Sequence, residues 1–94
     1  MNVECKGFEV LQLDSGVDAV VYYFLETFQA EAGKYGIYVE KEVDDMLVEA
    51  ERTGGFLDSK EEAEEMVYLM LRNQVTPCVL NEVIYDYLYE RICG

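Results

Sequence analysis

Histidine and tryptophan are absent from this 94-residue chain and proline occurs once. Only seven lysines and arginines stand against 20 aspartates and glutamates, a formal net charge of −13. Each shortage excludes something. Without histidine, and with no CxxC pair among Cys5, Cys78 and Cys93, a zinc site within one chain would need carboxylates to complete it. The Glu-x-x-His motifs of di-metal helical bundles are likewise missing. So few cations exclude direct binding to a nucleic-acid backbone, which depends on lysine and arginine displacing counterions, and the same repulsion disfavours an anionic membrane surface. The longest apolar run, residues 19–25, is far short of the roughly 20 residues that cross a bilayer. The start of the chain lacks the basic segment of a secretory signal. An odd cysteine count argues against a disulfide framework, so a soluble, cytoplasmic protein with reduced thiols is expected.

What is present is apolar enough to fold: 51% of residues are hydrophobic and 13% aromatic. A chain of this length supports one core, so residues 1–94 are read as a single domain. Glycines and the single proline punctuate it at residues 33–36, 54–55 and 76–77. The spacing predicts a mainly α, small four-helix domain with a short extended N-terminal segment. Residues 3–13 read as a strand: Val3 and Cys5 alternate in one phase, Phe8 and Val10 in the other, and a turn or bulge is expected at Lys6-Gly7. Its pairing partner is either the β-like stretch 35–39 or a second copy of the chain.

A first helix is expected over 16–32, capped by Ser15 and closed by Gly33, and a second over 39–53 with Val39, Val43, Met46, Leu47 and Ala50 as its apolar stripe. Ser59 and Glu62 are spaced as a capping box for a third. Thr76 and Pro77 open a fourth. The core expected from this arrangement is Phe24, Phe28, Val43, Leu47, Met66, Met70, Leu80, Ile84 and Leu88.

Two features stand out as candidate functional surfaces. Residues 40–65 hold 11 carboxylates against Lys41, Arg52 and Lys60, a local net charge of −8. As helices they would present Glu40, Glu42, Asp44, Asp45, Glu49, Glu51, Glu61 and Glu65 as an acidic face for a partner. Like charges four residues apart cost a few tenths of a kcal/mol each, which a basic partner would turn into attraction. Part of the concentration also suits the start of a helix, and a solvated acidic face serves solubility by itself. The second feature is Tyr85 and Tyr89, at i and i+4 on the last helix with Glu82 and Asp86 beside them, a pattern suited either to packing or to an interface.

No catalytic residue is assigned, since no nucleophile–base spacing and no glycine-rich phosphate loop is present. No cofactor is implied either. In size and composition the chain resembles the small acidic anti-restriction and anti-CRISPR inhibitors of phages and mobile elements, some of which mimic nucleic acid. The expectation is a protein-binding inhibitor or adaptor that offers carboxylates to a basic surface, such as the nucleic-acid site of another protein. The alternative is a structural homodimer built through Tyr85 and Tyr89 or through the N-terminal strand.

Overall fold

A run such as Val20-Val21-Tyr22-Tyr23-Phe24-Leu25, rich in β-branched and aromatic side chains, satisfies a strand that is apolar on both faces as well as it satisfies a helix. In the computed structural model, which describes residues 2–29 and 33–93 and side chains through residue 90, it is a strand. Among the described residues β1 (Asn2–Gln12), β2 (Asp18–Thr27), β3 (Tyr35–Val43) and β4 (Met46–Arg52) are followed by α1 (Lys60–Arg72), a 3₁₀ turn at Pro77–Val79 and α2 (Leu80–Cys93). The strands form one antiparallel sheet in the order β1-β2-β3-β4, each hydrogen-bonded to its neighbour in sequence.

The mainly α four-helix expectation is therefore wrong. The helix expected over 16–32 is β2 and the loops beside it, with 30–32 outside the described residues. The helix expected over 39–53 is the β3–β4 hairpin. Its turn is Asp44-Asp45, with φ of 53° and 63°, the two left-handed residues that a tight two-residue hairpin turn requires. Aspartate tolerates that conformation better than most residues.

The expected N-terminal strand is present, with its irregularity between Cys5 and Gly7. Its partner within the chain is β2 rather than the stretch 35–39, which pairs with the other side of β2, and β1 is left as an edge of the sheet. The last two helices form much as predicted. The Ser59 hydroxyl accepts the Glu62 backbone N–H at 3.2 Å, and Thr76 leads through Pro77 into the 3₁₀ turn. Cys78 lies in that turn.

One face of the sheet carries the core. Alternate residues Val21, Tyr23 and Leu25 of β2 and Ile37 and Val39 of β3 pack with Ala63, Met66, Val67 and Met70 of α1 and with Leu80 and Ile84 of α2. Each buried valine, leucine, isoleucine or methionine among them contributes about 1.5–3 kcal/mol by leaving water. Of the expected core, Met66, Met70, Leu80 and Ile84 are buried. Phe24, Phe28, Val43 and Leu88 are half-buried, and Leu47 is exposed.

Polar contacts also tie the helical layer to the sheet. The Tyr23 hydroxyl, fully buried, donates to the Val75 carbonyl at 2.8 Å. Lys6, turned toward α1 at the bulge, ion-pairs with Glu4 and with Glu64 at 3.3 Å. Gly7 lets Leu71 of α1 close in, for a Cβ there would press on its methyl groups.

Candidate protein-binding face

Directly opposed residues in an antiparallel sheet point to the same side, so the register maps the face opposite the helices. Its rows are Cys5–Phe24–Tyr38–Arg52, Phe8–Tyr22–Glu40–Ala50 and Val10–Val20–Glu42–Leu47, with Val3–Glu26–Gly36 beyond the first. Val3 and Cys5 alternate out of phase with Phe8 and Val10, yet all four lie on this face, because the extra residue in the bulge restores the phase.

The result is an apolar stripe two strands wide. Phe8 and Val10 of β1 are more than half exposed, at 60% and 51%, while Val20, Tyr22 and Phe24 of β2 are half-buried. Phe8 and Tyr22 stand 6.1 Å apart between ring centroids, and Phe24 and Tyr38 5.5 Å apart, both tilted pairs. Such pairs are worth about 0.5–1.5 kcal/mol beyond their burial.

Carboxylates border the stripe on the β3 side. Glu40 and Glu42 follow one another along that strand, and Asp44 and Asp45 stand exposed in the turn beyond them. At this end Val17, Asp18, Val20, Tyr22, Glu42, Asp44 and Asp45 enclose a shallow cleft of about 420 Å³. The hairpin tip past the turn, Met46, Leu47 and Val48, is apolar and more than half exposed throughout.

The opposite end is closed by Arg52. Its guanidinium lies 4.6 Å from the Tyr38 ring centroid, and its Nε is 3.7 Å from Oε1 of Glu26. Glu26 is fully buried and neither carboxylate oxygen has a hydrogen-bond partner, so half-exposed Arg52 supplies its compensating charge. The Tyr38 hydroxyl donates to Glu40 Oε1 at 2.7 Å. Burial first, and then that bond to a carboxylate, raise the Tyr38 phenol above its ordinary value, with Arg52 opposing them.

The tertiary structure divides the acidic set predicted from sequence. Glu40, Glu42, Asp44 and Asp45 are together on the open face and its turn. Glu49 lies on the helix-bearing side, paired with Lys41 at 3.6 Å, and Glu51 accepts the Arg52 backbone N–H at 3.1 Å. Glu61 and Glu65 belong to α1, in the other layer of the molecule. Tyr85 and Tyr89, with Glu82 and Asp86, are exposed on α2. Sequence reasoning missed Phe8, Val10, Val20, Tyr22, Tyr38 and Arg52 as a surface. The alternation in β1 was its only visible trace, since the rest depends on which strands are neighbours.

Fold and face together describe a small two-layer α/β protein whose acid-bordered second sheet face carries no helix among the described residues. Residues 3–90 match the family of unknown function DUF6514, and the chain belongs to that family. No curated protein and no solved structure gives a significant match. Among the described residues, no helix is long and apolar enough to cross a membrane.

Proposed function

We propose that the protein is a cytoplasmic protein-binding module, an inhibitor or adaptor, that meets a basic surface on another protein. The observation that supports this most directly is the line of Glu40, Glu42, Asp44 and Asp45 beside exposed aromatic and aliphatic side chains. Apolar area supplies affinity there, while the carboxylates select partners by charge and speed encounter. A basic nucleic-acid-binding site on the partner has the matching chemistry, and occupying it would block it.

The test is affinity purification with the full chain from its native host at low and then moderate salt. A basic partner should leave as salt rises, because exposed charge pairs are screened over about 8–10 Å near physiological ionic strength. It should also be lost from a Glu42→Lys, Asp44→Lys, Asp45→Lys variant. A partner that survives both changes overturns the reading.

Exposed Tyr85 and Tyr89, at 68% and 57%, support a second reading in which α2 joins two copies. Sedimentation of Tyr85→Ser, Tyr89→Ser beside the unaltered chain tests it, and a clean monomer at high concentration removes it.

A further inference from the structure

We infer that the open face of the sheet is the docking surface and that its occupant is an amphipathic helix of the partner, with lysine or arginine along one flank of its apolar stripe. This rests on the protein-binding reading above and specifies its partner.

Three observations carry it. The first is width. The apolar stripe spans β1 and β2, each strand occupying about 4.8 Å of width. That makes a band of roughly 10 Å, the diameter of one α-helix. The stripe from Val3 to Val10 runs about 20 Å at the usual strand rise, room for nearly four helical turns.

The second is precedent within the molecule. The opposite face of the same sheet is already covered by α1 and α2, so a helix on this side completes a layered arrangement in which both sheet faces leave water.

The third is charge, which is one-sided. Glu40 and Glu42 line the β3 border, whereas the β1 column opposite them holds Val3, Cys5, Phe8 and Val10. A complementary helix therefore needs cations on one flank only, beside an apolar stripe that lies over Phe8 and Tyr22. A second copy of this chain does not fit. It would bring another net −13 against the same carboxylates, and like charges set against each other across an interface are costly.

The probe is a synthetic helical peptide of about four turns with a leucine stripe and lysines along one flank. One control carries glutamates in place of the lysines, and another carries serines in place of the leucines. Binding is followed by amide NMR shifts of the full chain. The lysine peptide should shift β1, β2 and β3 resonances and bind at least tenfold more tightly than either control.

Glu40→Lys, Glu42→Lys should reverse the preference in favour of the glutamate peptide. Glu40→Gln, Glu42→Gln should abolish it, which separates charge from any loss of folding. Phe8→Ser, Tyr22→Ser should weaken both charged peptides about tenfold or more while preserving the far-ultraviolet circular dichroism.

Equal binding of the lysine and glutamate peptides, or shifts confined to α2, overturns the proposal. With the natural partner, amide protection on α2 instead of β1–β3 overturns the assignment of this face and leaves the protein-binding reading standing. A partner that salt and charge reversal fail to release overturns both.

Discussion

Replacing Tyr23 with phenylalanine should destabilise the protein at neutral pH and make it relatively more stable in alkali. The ring is fully buried and its hydroxyl donates to the Val75 carbonyl, tying β2 to the segment between α1 and the 3₁₀ turn. Tyr23→Phe keeps the ring but removes that donor. A buried carbonyl deprived of its partner costs about 1–2 kcal/mol, which for a domain of this size lowers the Tm by roughly 4–12 °C.

The alkaline behaviour follows from the phenol's environment. Burial, with a smaller contribution from the charge of Glu9, pushes the Tyr23 phenol up from 10.0 to about 12. Because the folded value is raised, its contribution is fully present below pH 10. It is lost as the pH rises toward 12, where only the unfolded chain ionises freely. Each unit of difference corresponds to about 1.4 kcal/mol, so wild type should lose roughly 1.4 kcal/mol at pH 11 relative to a chain that lacks this phenol. The deficit of Tyr23→Phe should therefore nearly vanish near pH 11 and change sign above it. Urea unfolding followed by circular dichroism at pH 7, 10, 11 and 11.5, with thiols kept reduced, measures the difference. The other tyrosines are common to both proteins and largely cancel. A difference that stays constant from pH 7 to 11.5 refutes the claim that burial holds this phenol neutral, and a variant as stable as wild type at pH 7 refutes the value placed on its hydrogen bond.

Two further expectations concern backbone contact and buried charge. At Gly36, buried in β3, a Cβ would sit inside the van der Waals envelope of the Gly54 carbonyl oxygen. Gly36→Ala should thus cost about 3 kcal/mol or more, or abolish folding, as read by thermal unfolding, whereas Gly16→Ser, where no atom crowds the Cβ, should cost about 1 kcal/mol from its positive φ alone. Arg52→Ala should cost about 1–2 kcal/mol by stranding the buried Glu26 carboxylate, a figure kept below that of a fully buried pair because Arg52 is half exposed. Adding Glu26→Gln should recover part of that loss in the same denaturation assay, and no recovery in the double variant would show that the arginine acts through Tyr38 instead.

Local signals were sufficient for the C-terminal half of the chain. Ser59 three residues before Glu62, and Thr76 before Pro77, mark helix starts whose hydrogen bonds close within a few residues. The bulge in β1 was visible for the same reason, since the phase change at Lys6-Gly7 is local. The middle was misread because periodicity is ambiguous there. Val20 to Leu25 is apolar on every wheel position, and a sheet with one face under helices and the other left apolar produces that pattern too. In residues 39–53 the apolar positions Val39, Val43, Met46, Leu47 and Ala50 match a helical stripe by coincidence of two strands and a two-residue turn. The turn is Asp44-Asp45 rather than the more telling Asn-Gly.

The sequence by itself therefore determined a folded, strongly acidic domain poor in cations and free of histidine, with two helices at its end, the first of them capped by Ser59. These properties follow from composition and from contacts a few residues apart. Only the tertiary structure decided that Phe8, Tyr22 and Glu40 stand side by side on an open face, while Glu61 and Glu65 lie in the opposite layer. Strand neighbours and register are set by contacts between residues far apart in sequence, and a single inserted residue at Lys6 determines which side chains of β1 share that face.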